Sequence, residues 1–229
     1  MRLIHQRKSN KFSKLYCGNR PSVYKGKEFP EQAQAQEKAD DVLQILYTGN
    51  LYSGRYQTLL KLCRKLHECN RSGLKAQLHI YSGTDLSEKQ IAELNLADSS
   101  FFKGSVSEEE VSVLQEKADV LLHIEPMSLK GSLLCRLSFS TKLVDYFHKR
   151  KTIFAVGSSR CASMKYLTRN DAAIVSISMH EAEEKLERLL CDKALCREYA
   201  EKAWSCGAKN HQIHQIQQKL RDDLTQIIG

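Results

Sequence analysis

Apolar and polar positions along this chain follow two rhythms. Unbroken apolar runs recur at Val42–Thr48, Leu78–Tyr81, Asp119–Ile124, Thr152–Val156 and Ala172–Ile177, mostly ending in a turn such as Gly49-Asn50, Gly83, Glu125-Pro126 or Gly157. Runs of that length bounded by turn residues predict buried strands. Between them apolar residues fall three or four apart, at Leu59, Leu60, Leu62, Cys63 and Leu66, and again at Leu143, Val144, Tyr146 and Phe147. That spacing predicts helices with one buried face. Ser87-x-x-Gln90, Ser107-x-x-Glu110 and Ser178-x-x-Glu181 each place a capping hydroxyl three residues before a Glu or Gln, the signature of a helix start. Further helices are expected over Arg160–Arg169 and Asp192–Cys206, and one from His211 with apolar residues at Ile213, Ile216, Leu220, Leu224 and Ile228. The ten residues MSLKGSLLCR at 127–136, which hold Lys130 and Arg136, read as a long connection, a mobile flap beside the ligand position. Strands alternating with helices predict an α/β domain, a Rossmann-like parallel sheet with helices on both faces.

One stretch, LSFSTKLVDYFHKRKTIFAVG at Leu137–Gly157, concentrates the chemistry. Ser138, Ser140 and Thr141 are good N-capping types. Lys142 and Asp145 then lie on the first turns of the helix, and His148 to Lys151 crowd its C-terminus, where positive charge suits the dipole. Hydroxyls, N–H groups and a lysine at a helix start suit a phosphate, and a nearby carboxylate can hold a sugar hydroxyl. The strand at Val42–Thr48 leads through Gly49-Asn50 to Arg55 at a helix start, but GNLYSGR is not the G-x-G-x-x-G dinucleotide fingerprint. Glu125 falls at the carboxyl end of a strand, where open α/β sheets place ligands. Read alone, Arg55 is equally a surface helix charge, Glu125 a structural carboxylate and Gly104–Val106 a plain turn.

Composition narrows the classes. At 229 residues, 41% hydrophobic and 27% charged, the chain is an ordinary globular sequence with no run of membrane-spanning length. The opening MRLIHQRKSN lacks the apolar core of a signal peptide, and the eight cysteines are scattered without a C-x-x-C pair. A reduced, cytoplasmic location, or one at the inner face of a membrane, is therefore expected. The net charge of +8 resides mostly in residues 1–40, which hold nine Lys or Arg against four Asp or Glu. No aromatic-interleaved basic stripe follows, so nucleic acid is not the expected partner. A basic surface suits an anionic donor or a membrane face carrying a lipid-linked acceptor equally well. Cys206, His211 and His214 have metal-ligand chemistry, but a structural zinc needs four ligands and no second pair lies nearby.

The order Ser-Thr-Lys-Leu-Val-Asp-Tyr-Phe, a basic turn and an apolar strand resembles the donor-site helix of GT-B glycosyltransferases of the retaining, bacterial polysaccharide type. FFKGSVSEEEVSVLQEKADVLL is similar to that family's glycine loop, helix and strand, and GNLYSGR to its first strand-loop; the resemblance covers roughly Ile45–Ile177. It implies the C-terminal half of a GT-B fold. Residues 1–40 are then a basic linker or a remnant of the N-terminal domain, 41–208 the nucleotide-sugar-binding domain, and 209–229 a C-terminal amphipathic helix. It also implies a nucleotide-diphosphate sugar as donor, without metal or cofactor. Gly49, Asn50, Arg55, Ser140, Thr141 and Lys142 would face the diphosphate, Gly104 and Val106 the base, and Asp145 the ribose. The acidic residue that the family often carries eight positions earlier is Leu137 here, so the sugar-side contact stays unassigned, as does any catalytic residue. A separate acceptor-binding domain or chain would be required, and the chain alone is expected to be inactive. Two other readings stay open: a non-catalytic α/β interaction domain that has lost the site, and a sugar-nucleotide epimerase.

Overall fold

The computed structural model describes residues 24–30 and 42–228. Six strands form one sheet: β1 (Leu43–Thr48), β2 (Ala76–Tyr81), β3 (Ser100–Phe102), β4 (Val120–Ile124), β5 (Thr152–Val156) and β6 (Ile174–Ser176). All pairs are parallel and the spatial order is β3-β2-β1-β4-β5-β6. The chain winds outward from β1 to β3, returns to the centre at β4, and winds the other way to β6. The junction of β1 and β4 is therefore the point where the winding reverses, the usual ligand position in open α/β sheets.

The helices are α1 (Arg55–Asn70), α2 (Glu88–Leu94), α3 (Glu108–Lys117), α4 (Leu129–Leu134), α5 (Lys142–His148), α6 (Ala162–Arg169), α7 (Met179–Cys191), α8 (Lys193–Asn210) and α9 (Ile213–Ile228). Alternate strand residues feed two cores. Ile45, Tyr47, Val120, Leu122, Ile124 and Phe154 pack with Leu59 and Leu62 of α1 and Leu186 and Leu189 of α7. Leu46, Leu121, Ile153 and Ala155 pack on the opposite face with Leu143 and Phe147 of α5, Met164 of α6 and Ala203 of α8. Both faces are covered, which is why β4 and β5 read as continuous apolar runs rather than as alternating ones. Ser87 and Ser107 form complete capping boxes, and Ser178 accepts from the Glu181 N–H.

Two expectations are corrected. The 127–136 connection is not all loop: it contains α4, whose N-cap Ser128 accepts from the Gly131 N–H. At the start of α5, Thr141 makes no side-chain capping bond and its backbone is already helical. The Ser140 N–H instead donates to Ser163 Oγ at 3.0 Å, so a hydroxyl from α6 does the work expected of a local cap. One further strand, β3, forms where SFF is too short to show a period.

Of the segment 1–40, only 24–30 lies within the described residues. It crosses α5 and the α8–α9 junction. Lys27 bridges Gln212, with backbone hydrogen bonds to His211 and Ile213 at 3.0 Å each, and the Phe29 ring lies edge-on to Trp204 and His148. The sequence boundary at 208 falls inside α8. Gly207 is the seat for Phe29, since a Cβ there would lie 2.6 Å from the ring's Cζ and 2.7 Å from Phe147 Cβ. Gly207→Ala is therefore expected to cost about 1–3 kcal/mol, the usual penalty of overpacking, read as a lower urea midpoint. An unchanged midpoint would contradict this packing.

No helix among the described residues is long and apolar enough to cross a membrane, and none of the seven cysteines among them is in a disulfide.

Candidate functional site

Beyond the carboxyl ends of β1 and β4 lies a cavity of about 170 Å³, open at its mouth and smaller than the roughly 300–1,000 Å³ of most small-molecule pockets. Tyr47, Asn50, Arg55, His123, Ile124, Glu125, Cys135, Ser138, Ser140 and Lys142 line it. Helices α1 and α5 pack on opposite faces of the sheet, yet their first residues, Arg55 and Lys142, reach around its edge into this one space.

The β1–α1 loop delivers Arg55 through a tight turn in which Ser53 and Gly54 both have positive φ. Its Nε donates to the Ile124 carbonyl at 3.0 Å and its Nη2 to Glu125 Oε2 at 2.9 Å, while Nη1 lies 3.4 Å from Asn50 Oδ1. Lys142 Nζ donates to the Thr48 carbonyl at 2.6 Å and sits 5.9 Å from the Tyr47 ring centroid. Gly49 makes that approach possible: its φ of 151° suits glycine, and a Cβ there would come within 2.5 Å of Lys142 Nζ. Tyr47 closes the floor, its hydroxyl donating to the Asn50 carbonyl at 2.6 Å.

Burial, then the Arg55 charge, push the Lys142 ammonium down to about 8, with Glu125 opposing. It remains mostly protonated at pH 7 but is held at a cost. For Glu125, burial alone would raise the carboxyl; His123 beside it and the Arg55 guanidinium outweigh that and hold it down to about 2. Burial likewise lowers the His123 imidazole, against the opposing pull of Glu125. His123 Nε2 lies 3.4 Å from Glu125 Oε1 without making a hydrogen bond, a buried polar atom with no partner. Arg55 and Lys142 against Glu125 leave the cavity with one net positive charge. Lys142 commits one of its three donors to the Thr48 carbonyl.

Of the residues singled out from sequence, Asn50, Arg55, Glu125, Ser140 and Lys142 share the cavity lining, and Gly49 abuts it through Lys142. Thr141 is outside that lining. Gly104 and Val106 lie past the end of β3, where Gly104 accepts from the Ser82 N–H at 2.8 Å and has a φ of 76°. They occupy the sheet's carboxyl edge but not the cavity. Asp145 is turned to the 24–30 segment, with Oδ2 2.5 Å from Lys25 Nζ and Oδ1 3.4 Å from Lys27 Nζ. Sequence reasoning missed Tyr47, His123 and Cys135, and named Ser138 only within the hydroxyl cluster before α5. A signal for His123 existed: two positions before Glu125, it shares that residue's face of the strand, and it is the one ionisable residue in an otherwise apolar β4.

Cys206 and His211, considered as metal ligands, instead meet at Tyr166, whose hydroxyl is 2.9 Å from His211 Nε2 and 3.7 Å from Cys206 Sγ. Among the described residues no three His, Cys, Asp or Glu side chains are grouped to hold a metal.

No protein-family model and no curated protein matches the chain. Among solved structures it is similar to sucrose-phosphate synthase from Thermosynechococcus elongatus, with a TM-score of 0.62 and 16% identity over 82% of this chain and 46% of that one. It is also similar to WaaG, a glycosyltransferase involved in lipopolysaccharide biosynthesis, with a TM-score of 0.58 and 18% identity over 80% and 47%. A third is HepE from Anabaena, solved in complex with UDP and glucose, with a TM-score of 0.61 and 14% identity over 81% and 49%. These are GT-B glycosyltransferases, and the six-stranded parallel α/β fold described above is the fold they share with this chain. The chain spans about half the length of each of these structures.

Proposed function

We propose that this chain is the donor-binding unit of a glycosyltransferase, holding a nucleotide-diphosphate sugar at the β1–β4 junction. One observation carries the reading: cations from helices on opposite faces of the sheet converge, beside an unpartnered buried imidazole, where the winding reverses. Breaking the bond between sugar and diphosphate builds negative charge on the leaving phosphate. Fixed donors aimed at that charge in a half-dry cavity stabilise it without reorganising. Lys142 and Arg55 are those donors, and the His123 ring offers a further polar contact. Asp145, expected at the ribose, is paired with Lys25 and Lys27 outside the cavity lining and would have to exchange those partners to serve there. The acceptor site and any proton-transferring group belong to a second domain or chain, so the chain by itself binds donor without turning it over.

The test is thermal unfolding with UDP, GDP and ADP and their glucose conjugates. A ligand at a hundred times its dissociation constant adds about 2.7 kcal/mol, which in a chain of this size raises the midpoint by roughly 5–10 °C. One diphosphate series is expected to do so. A flat response to all of them overturns the proposal in favour of a non-catalytic α/β domain.

A further inference from the structure

Lys142 has the surroundings of a nucleophile as well as those of an anchor. A lysine becomes reactive when it is desolvated or set beside another cation, since either condition favours the neutral amine. Lys142 meets both conditions: it lines the cavity together with Arg55, and burial, then the Arg55 charge, bring its ammonium down to about 8. At pH 8 roughly half the chains carry a neutral amine there, against about three in a thousand for a lysine at the ordinary 10.5. The nitrogen is also held in place. It donates to the Thr48 carbonyl at 2.6 Å, in space that a Cβ on Gly49 would fill. A neutral amine keeps that bond with one N–H and turns its lone pair away from the carbonyl.

The cavity selects the electrophile. At about 170 Å³ it admits a small molecule whole, and not a bulky carrier. The Arg55 guanidinium and the Ser138 and Ser140 hydroxyls beside it are groups that bind phosphate oxygens. The one carboxylate in the lining, Glu125, is paired with Arg55. A small carbonyl compound whose leaving group is itself a phosphate fits both halves of this arrangement. We infer that the cavity takes up small acyl phosphates and that Lys142 accepts their acyl group. The amine lone pair attacks the acyl carbon, the carbon–oxygen bond to phosphate breaks, and its electron pair departs with the phosphate. The amine proton passes to that phosphate, so the products are an acyl-lysine and hydrogen phosphate. Acylation removes the lysine charge, which takes the cavity from one net positive charge to none. The consequent loss of diphosphate binding rests on the donor-binding reading; the acyl transfer itself does not.

The full chain is incubated with acetyl phosphate near pH 8, and peptide masses give the acetylation rate at every lysine in one sample. Lys142 is expected to react at least about tenfold faster than Lys61, Lys89 and Lys117, which are exposed. The same measurement with a neutral reagent, the N-hydroxysuccinimide ester of acetic acid, isolates the phosphate seat. The preference for Lys142 is expected to fall about tenfold with that reagent, because Arg55 has no anion to hold. Arg55→Gln is expected to remove the difference between the two reagents. If that variant fails to fold, the two reagents compared on wild type still carry the test. Lys142 reacting no faster than the exposed lysines overturns the inference. So does an equal preference with both reagents, which would mark a reactive amine without a phosphate seat beside it. Thermal unfolding with diphosphates is measured before and after acetylation. Selective acetylation in a chain that no diphosphate stabilises upholds the acyl transfer and overturns the donor-binding reading, so the two fail separately.

Discussion

Replacing Lys142 by methionine is expected to stabilise the ligand-free chain while weakening its binding of nucleoside diphosphates by roughly 10- to 100-fold. Burial and the Arg55 charge lower the ammonium to about 8 from 10.5, so holding it charged at pH 7 costs the fold about 3 kcal/mol. Methionine removes that cost but leaves the Thr48 carbonyl without its donor, a loss of about 1–2 kcal/mol, so a net gain of about 1 kcal/mol remains. The binding loss is that of a charge-assisted hydrogen bond, about 1.5–3 kcal/mol. The pH signature is specific. Between about pH 8 and 10.5 the unfolded chain holds a proton on this lysine that the folded chain has given up, so wild-type stability rises with pH relative to Lys142→Met across that window. Below pH 8 the gap between the two is constant. Urea unfolding of both proteins from pH 6 to 11 measures it; parallel curves throughout would contradict the assignment of a strained, charged Lys142.

Glu125→Gln should do the opposite. The carboxylate is 3% exposed, is paired with Arg55, and has its acidity held at about 2. A carboxyl lowered in the folded state contributes stability that is complete above pH 4.5 and lost as pH falls through about 2. The size of that contribution is about 3 kcal/mol. Glutamine keeps the shape and a hydrogen-bond acceptor but not the charge, so a loss of about 2–3 kcal/mol at pH 7 is expected. The same change frees Arg55 from its internal anion and raises the cavity from one net positive charge to two. Diphosphate binding is then expected to tighten by roughly tenfold, as a fully desolvated like-signed competitor is removed. Stability and ligand affinity thus move in opposite directions in the two variants, and in opposite senses from one to the other. A variant pair in which both properties fall together would point to plain misfolding of the cavity rather than to competition for its cations.

The contrast between what sequence shows and what it hides follows interaction range. Capping boxes at Ser87 and Ser107 and the apolar faces of α1 and α5 are local patterns, legible because each residue's partner is three or four positions away. Arg55 and Lys142 were placed in one site by resemblance to strand-to-helix junctions, and the sheet order then supplies the physical reason: β1 and β4 are neighbours. Tyr47 and His123 stayed hidden because a strand buried on both faces shows no alternation, so the face turned to a ligand looks like any other. The pairing of Asp145 with Lys25 spans 120 positions, and the capping of Ser140 by Ser163 spans 23. Neither leaves a local trace. Helix α4 leaves no helical signal because its six residues turn their leucines outward, the reverse of the pattern by which helices are found.

The central claim is that Arg55 and Lys142 jointly hold a diphosphate at the β1–β4 junction. A crystal structure of the chain with bound UDP, or with whichever nucleoside diphosphate raises its melting point, measures this most directly. The predicted result is phosphate oxygens within hydrogen-bond reach, about 3 Å, of both Lys142 Nζ and the Arg55 guanidinium, with the Arg55–Glu125 pair loosened to admit them. A diphosphate seated elsewhere on the chain, with both cations still on Thr48 and Glu125, would contradict it.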